Sequence, residues 1–132
     1  MEQRPINPWT WQDQFGFSQA IEVKGAERVL VCAGQTSGDA DGQVLHAEDM
    51  RAQALQALAN LEAVLGEAGL GLENVVRLNH YTLDVDRYLA EAWPAVAERL
   101  GQAGVRPAST LLGVTRLARP ELLLEIEATA VA

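Results

Sequence analysis

The C-terminal segment Leu122 to Val131 sets the strongest constraint on what this chain can fold into. Leu124, Ile126, Ala128 and Ala130 fall on one side, and Glu125, Glu127 and Thr129 on the other. That is the period of two of a strand with one apolar and one polar face. Such a strand needs an apolar layer on one side, and Asp49 to Ala68 can supply it. Ala54, Leu55, Leu58, Leu61 and Leu65 form a single stripe at helical spacing, with Arg51, Gln53, Gln56 and Glu67 on other faces. Glu48 and Asp49 at its start complement the helix dipole, and Gly69 and Gly71 close it. A sheet with helices on one face follows. Its other face must be polar or covered by another subunit.

The remaining elements fit this plan. Residues 1–16, rich in Pro, Trp, Asn and Gln, read as an irregular arm. Phe17 to Val23 and Arg28 to Gly34 read as two strands joined as a hairpin through Lys24 to Glu27. The acidic, glycine-rich stretch Gly34 to Gly42 is a loop. Val75 to Leu83 is a strand, with Val76, Leu78, His80 and Thr82 on one side. A second helical region spans about Asp86 to Ala103, with a break or fresh start near Trp93 because Pro94 is costly inside a helix and harmless in a first turn. Strands over Thr110 to Leu117 and Leu122 to Val131 complete the order. Paired strands around two helices predict an α+β two-layer sandwich, one mixed sheet with both helices on one face, in a single domain of residues 1–132.

Composition narrows the function. The formal net charge is −8 and the ten Lys and Arg residues are scattered. Nucleic-acid binding needs a clustered basic face, so no nucleic-acid partner is expected. No apolar run approaches the roughly 18 residues of a bilayer span, so no membrane partner is expected either. The start Met1-Glu2-Gln3-Arg4-Pro5 lacks the apolar segment of a secretory signal, which points to the cytoplasm. Cys32 is the single cysteine and sits among apolar residues, as a buried thiol does. His46 with Glu48 or Asp49 has no known metal-ligand spacing, and Gly38 to Gly42 lacks the oxygen ligands of a calcium loop. Neither a metal nor another cofactor is expected. Ser109 as a nucleophile would need an adjacent base, and neither His46 nor His80 has a recognisable triad context.

Six motifs in order resemble the Rid (YjgF/YER057c/UK114) family. They are Phe17-Ser18-Gln19-Ala20, Cys32-Ala33-Gly34-Gln35, Gln53 to Leu65 with Asn60-Leu61, Pro107-Ala108-Ser109-Thr110, Gly113-Val114-Thr115-Arg116-Leu117 and Leu124-Glu125-Ile126-Glu127-Ala128. The resemblance implies a chorismate-mutase-like (YjgF-like) fold and a homotrimer around a central β-barrel, with a small-molecule cleft at each subunit interface. The family's deaminases hydrolyse enamines and imines such as 2-aminoacrylate, and clamp the substrate carboxylate with an arginine after a Pro-Ala pair. A planar guanidinium suits that task because it makes two parallel charge-assisted bonds.

This chain departs from the pattern. The clamp position is Ser109, followed by Thr110, and the family's tyrosine position is Phe17. The asparagine position falls near Glu91 or Ala92. The glutamate is kept as Glu125, and the Gly34-Gln35 corner offers backbone N–H donors. Carried over in this way, Glu125 is the catalytic candidate, and Phe17, Gly34, Gln35, Ser109 and Thr110 are substrate-binding candidates. Arg106, Arg116 and Arg119 are weighed as substitutes for the clamp, with a structural ion pair the simpler role for Arg116. Trp9, Trp11 and Trp93 either seal the core or an interface, or, on the Trp9 arm, lid the cleft. Loss of the clamp predicts a hydrolase acting on a neutral or aromatic imine, enamine or related carbonyl compound. The alternative is a non-catalytic trimeric ligand-binding or regulatory protein.

Overall fold

The computed structural model describes residues 1–132. Six strands are present: β1 (Glu2–Ile6), β2 (Ala20–Lys24), β3 (Val29–Val31), β4 (Val75–Thr82), β5 (Ala108–Gly113) and β6 (Leu124–Val131). The helices are α1 (Met50–Glu67), the single turn α2 (Val85–Arg87) and α3 (Trp93–Gln102), with a π-helical segment, Tyr88–Ala92, between the last two. Strands β3, β6, β4 and β5 form one mixed sheet in that order; β4 and β5 run parallel and the other pairs antiparallel. A parallel pair needs a long crossover, and α2 through α3 provides it.

The amphipathic patterns account for the layers. Met50, Leu58, Leu61 and Leu65 of α1 are buried, as are Leu78 of β4 and Leu124 and Ile126 of β6; Val96 and Leu100 of α3 join the same core. Each such side chain contributes about 1.5–3 kcal/mol by leaving water. The Asp49 carboxylate caps α1 by accepting from Ala52 N–H at 3.0 Å. Pro94 stands in the first turn of α3, where its missing N–H is harmless. No helix is long and apolar enough to cross a membrane.

Two expectations about the N-terminal third are corrected. The arm is not irregular throughout: Glu2–Ile6 pairs antiparallel with β2, from Glu2 opposite Lys24 to Ile6 opposite Ala20. Pro5 is tolerated because this two-stranded ribbon has only edges. Consequently β2 and β3 are not a hairpin with each other, and β3 pairs with β6 instead. The sheet face away from the helices carries exposed apolar groups, with Val29 65%, Val31 77% and Leu112 50% accessible.

Candidate functional site

Strand alternation and register divide the candidate residues between two faces. On the helix-facing side, Ser109 pairs with Leu78 and Leu111 with His80. On the open side, Thr110 is level with Asn79, and Glu125 and Glu127 are opposite Tyr81 and Asn79. Ser109 and Glu125 therefore do not share a cleft within one chain. The sequence alone had placed them together.

The helix-facing side opens into a cavity of about 270 Å³. Its floor is His80, Ser109 and Leu111 from the sheet, and its far wall is Tyr88, Leu89 and Trp93 from the π segment and α3. Trp11, Phe15 and Phe17 close it from the N-terminal arm. Trp11 stands edge-on to both phenylalanines, with ring centroids 6.3 Å from Phe15 and 5.7 Å from Phe17. The arm is held in place by polar contacts. Buried Gln12 donates from Nε2 to Trp9 O at 2.8 Å, and Ser18 Oγ donates to Arg106 O at 2.6 Å. No lysine, arginine or carboxylate lines the cavity.

Sequence reasoning missed Phe15, Tyr88 and Leu89 as cavity residues, and set His80 aside. His80 is the most consequential of them. It is 2% exposed, with Nδ1 2.5 Å from the Tyr88 hydroxyl and the Trp93 ring edge-on at 5.3 Å. Burial lowers its pKa from 6.5 to about 4, so the imidazole is neutral at physiological pH. Burial also raises the Tyr88 phenol well above its usual range. The available signal was the alternation of Leu78, His80 and Thr82 on the apolar side of β4, which places a polar ring against the core.

The open face carries the second group of candidates. Glu125 packs directly on Gly34, where an added Cβ would come within 2.7 Å of the carboxyl carbon, so a side chain at 34 would displace it. Gln35 N–H is already used, bonded to Ile126 O at 2.6 Å, whereas Gly34 N–H makes no hydrogen bond within the chain. Only Gly34 thus remains as a backbone donor beside Glu125. The two carboxylates are driven apart in acidity. Burial, and then the charge of Glu127, raise Glu125; hydrogen bonds from Tyr81 and then Asn79 lower Glu127. A carboxylate raised in this way is the better proton acceptor near neutral pH.

The other candidates sit elsewhere. Thr110 Oγ1 accepts from Arg77 Nη2 at 2.9 Å on the open face, so Thr110 does not line the cavity. Arg106 is exposed and 3.8 Å from Asp13, and Arg116 and Arg119 are exposed with no carboxylate within ion-pair distance. Arg116 thus makes no ion pair within the chain. Glu91 pairs with Arg87, and Ala92 is a buried core residue. Cys32 is buried and its thiol is pushed up by desolvation. No group of three or more His, Cys, Asp or Glu side chains comes together to hold a metal ion.

Comparison with known proteins places these features in context. Residues 12–132 match the family model described as Endoribonuclease L-PSP. A RutC family protein of Pyrococcus horikoshii is 32% identical over 127 residues, covering 96% of this chain and 89% of the relative. The structure of YyfB from Yersinia pestis, a Rid family protein of unknown function, is 40% identical over the whole of both chains with a TM-score of 0.84. The E. coli YjgF gene product is 26% identical over 87% of each chain, with a TM-score of 0.71.

Proposed function

From the premise that this chain belongs to the YjgF/Rid family, we propose that it binds a small, uncharged, preferentially aromatic imine, enamine or carbonyl compound and hydrolyses it in a cleft between subunits of a homotrimer. The observation that carries the substrate class is the cavity: three aromatic rings from the arm, Trp93 opposite, and no cation in the wall. A carboxylate left unpaired in such a site costs on the order of 2–5 kcal/mol, which is roughly two to four decades in affinity. Ser109, neutral and short, stands where a clamp would be needed. An acidic chain of net charge −8 argues against RNA as the substrate.

The homotrimer is the reading that reunites the two faces. Phe17 and Ser109 form one half of the site; Glu125 and the free Gly34 N–H form the other, across the sheet. A second copy covering the exposed Val29, Val31 and Leu112 would bring its Glu125 to the neighbouring cavity. There Glu125 acts as the base that activates water, and Gly34 N–H stabilises the developing negative charge. The alternative, a binding protein without turnover, draws on the absence of any carboxylate in the cavity of one chain.

A coupled assay tests the reading by comparing 2-aminoacrylate with an imine formed from an aromatic ketone. Turnover of the aromatic imine and little of 2-aminoacrylate is expected; comparable rates overturn the substrate class. Glu125→Gln should abolish turnover while leaving the assembly intact. A parent protein that binds the aromatic compound without turning it over is the non-catalytic alternative.

A further inference from the structure

Among the residues that line the cavity, one fully buried polar atom has no partner in the chain. His80 Nδ1 is engaged by Tyr88, whereas the buried Nε2 has no hydrogen bond. Buried polar atoms in folded proteins are almost always satisfied, and an exception points to a missing ligand or water. The groups around this ring are the Tyr88 phenol, the Trp93 ring, and Ser109 and Leu111 of the neighbouring strand. None of them is charged.

A hydrogen inventory assigns the tautomer. The neutral imidazole has one N–H, and the phenol has one O–H with no contact other than His80. If Nδ1 carried the proton, it would donate to the phenol oxygen; the Tyr88 O–H would then lack an acceptor and Nε2 would lack a donor. If the phenol donates to Nδ1, only Nε2–H is left unpaired. The second arrangement leaves fewer buried groups unsatisfied, so Nε2 is a donor.

We propose that His80 is the polar recognition residue of the cavity, its Nε2–H donating to the carbonyl oxygen or imine nitrogen of an uncharged ligand with one aromatic ring. Tyr88 is a positioning residue that fixes the tautomer. The proposal rests on the neutral-ligand reading of the cavity and names the atom that selects the ligand. A volume of about 270 Å³ falls just below the ~300–1,000 Å³ of drug-sized sites, which suits a single ring with a short polar substituent. A carboxylate gains little from one neutral donor. A hydrocarbon of the same shape leaves Nε2 unpaired.

Three probes test this by calorimetric titration of the full chain: acetophenone, its near-isostere α-methylstyrene, and benzoate. Acetophenone should bind about tenfold more tightly than α-methylstyrene, the difference made by one neutral hydrogen bond. In His80→Leu that preference should fall to within about twofold. Nitrogen-15 NMR of histidine-labelled protein reads the tautomer directly and does not depend on any variant folding. Nε2–H is expected in the parent, and a mixture of tautomers in Tyr88→Phe, a change a merely structural tyrosine would not cause. Equal affinity for the two neutral probes, or a protonated Nδ1 in the parent, overturns the role of His80 and leaves the neutral-ligand reading standing. Benzoate binding more tightly than acetophenone, or failure of both neutral probes to bind, overturns that reading and the proposal with it.

Discussion

Acid should destabilise this protein earlier than its carboxylates alone require, and His80 is the reason. A neutral imidazole enclosed by Tyr88, Trp93 and Leu111 has its pKa lowered from 6.5 to about 4. Between those values the unfolded chain binds a proton that the folded chain refuses. Stability is therefore fully present above pH 6.5 and falls as the pH drops through the window to about 4. The loss is about 2 kcal/mol from pH 7 to 5, and about 3 kcal/mol by pH 4. The raised Glu125 works in the opposite direction, because its folded state takes up a proton more readily as the pH falls. Urea denaturation, followed by tryptophan fluorescence at fixed chain concentration, measures the net effect at pH 7 and pH 5. The His80→Leu variant keeps every other titrating group and removes this one. The parent should lose about 2 kcal/mol more than the variant between the two pH values. Equal losses would refute the reasoning, because a buried neutral histidine cannot leave the pH dependence of folding unchanged.

Other outcomes are as direct. Light scattering should give a particle of about three times the chain mass of 14.3 kDa, and a monomer would overturn the inter-subunit cleft. Ser109→Arg should raise affinity for pyruvate by about tenfold in calorimetry, since it supplies a guanidinium to a cavity that has none. Asn60→Ala should cost about 1–3 kcal/mol in thermal denaturation, because Nδ2 holds the loop through Thr36 O at 3.0 Å and Gly38 O at 2.9 Å. The same change should speed proteolysis between residues 36 and 44.

What was legible in the sequence was whatever a local period determines. The alternation of β6 read correctly, and the α1 stripe at most positions, because burial on one side repeats along the element. Two α1 positions did not: Leu55, placed on the stripe, is only half-buried, and Gln53, placed on another face, is fully buried and donates to His46 O and Glu121 O. Pro94 marked the start of α3 through its own missing donor. Strand pairing was not legible: the local period of β2 is the same whether it pairs with β1 or with β3, and β3 pairs with β6, a strand about a hundred residues away in sequence. The site was half legible for the same reason. Motifs singled out Ser109 and Glu125, but a list along one chain does not show on which sheet face each one lies, and the two fall on opposite faces. His80 stayed hidden because its meaning comes from Tyr88, which reaches it only after the chain has turned back through α2.

The π segment Tyr88–Ala92 explains how that meeting is possible. In an uninterrupted α-helix at about 100° per residue, Leu100 would stand roughly 120° around the axis from Tyr88. Absorbing one extra residue in a widened turn brings Tyr88, Val96 and Leu100 to within roughly 20° of one line. All three side chains are indeed buried. The widened turn is thus a phase correction: it lets the crossover seal the core with α3 and still deliver a phenol to the histidine one turn of chain earlier. Deleting a single residue there would leave the sheet untouched and rotate one end of the helix against the other. The placing of the phenol against His80 is therefore set by the residue count of a helix as well as by the side chains of the strands.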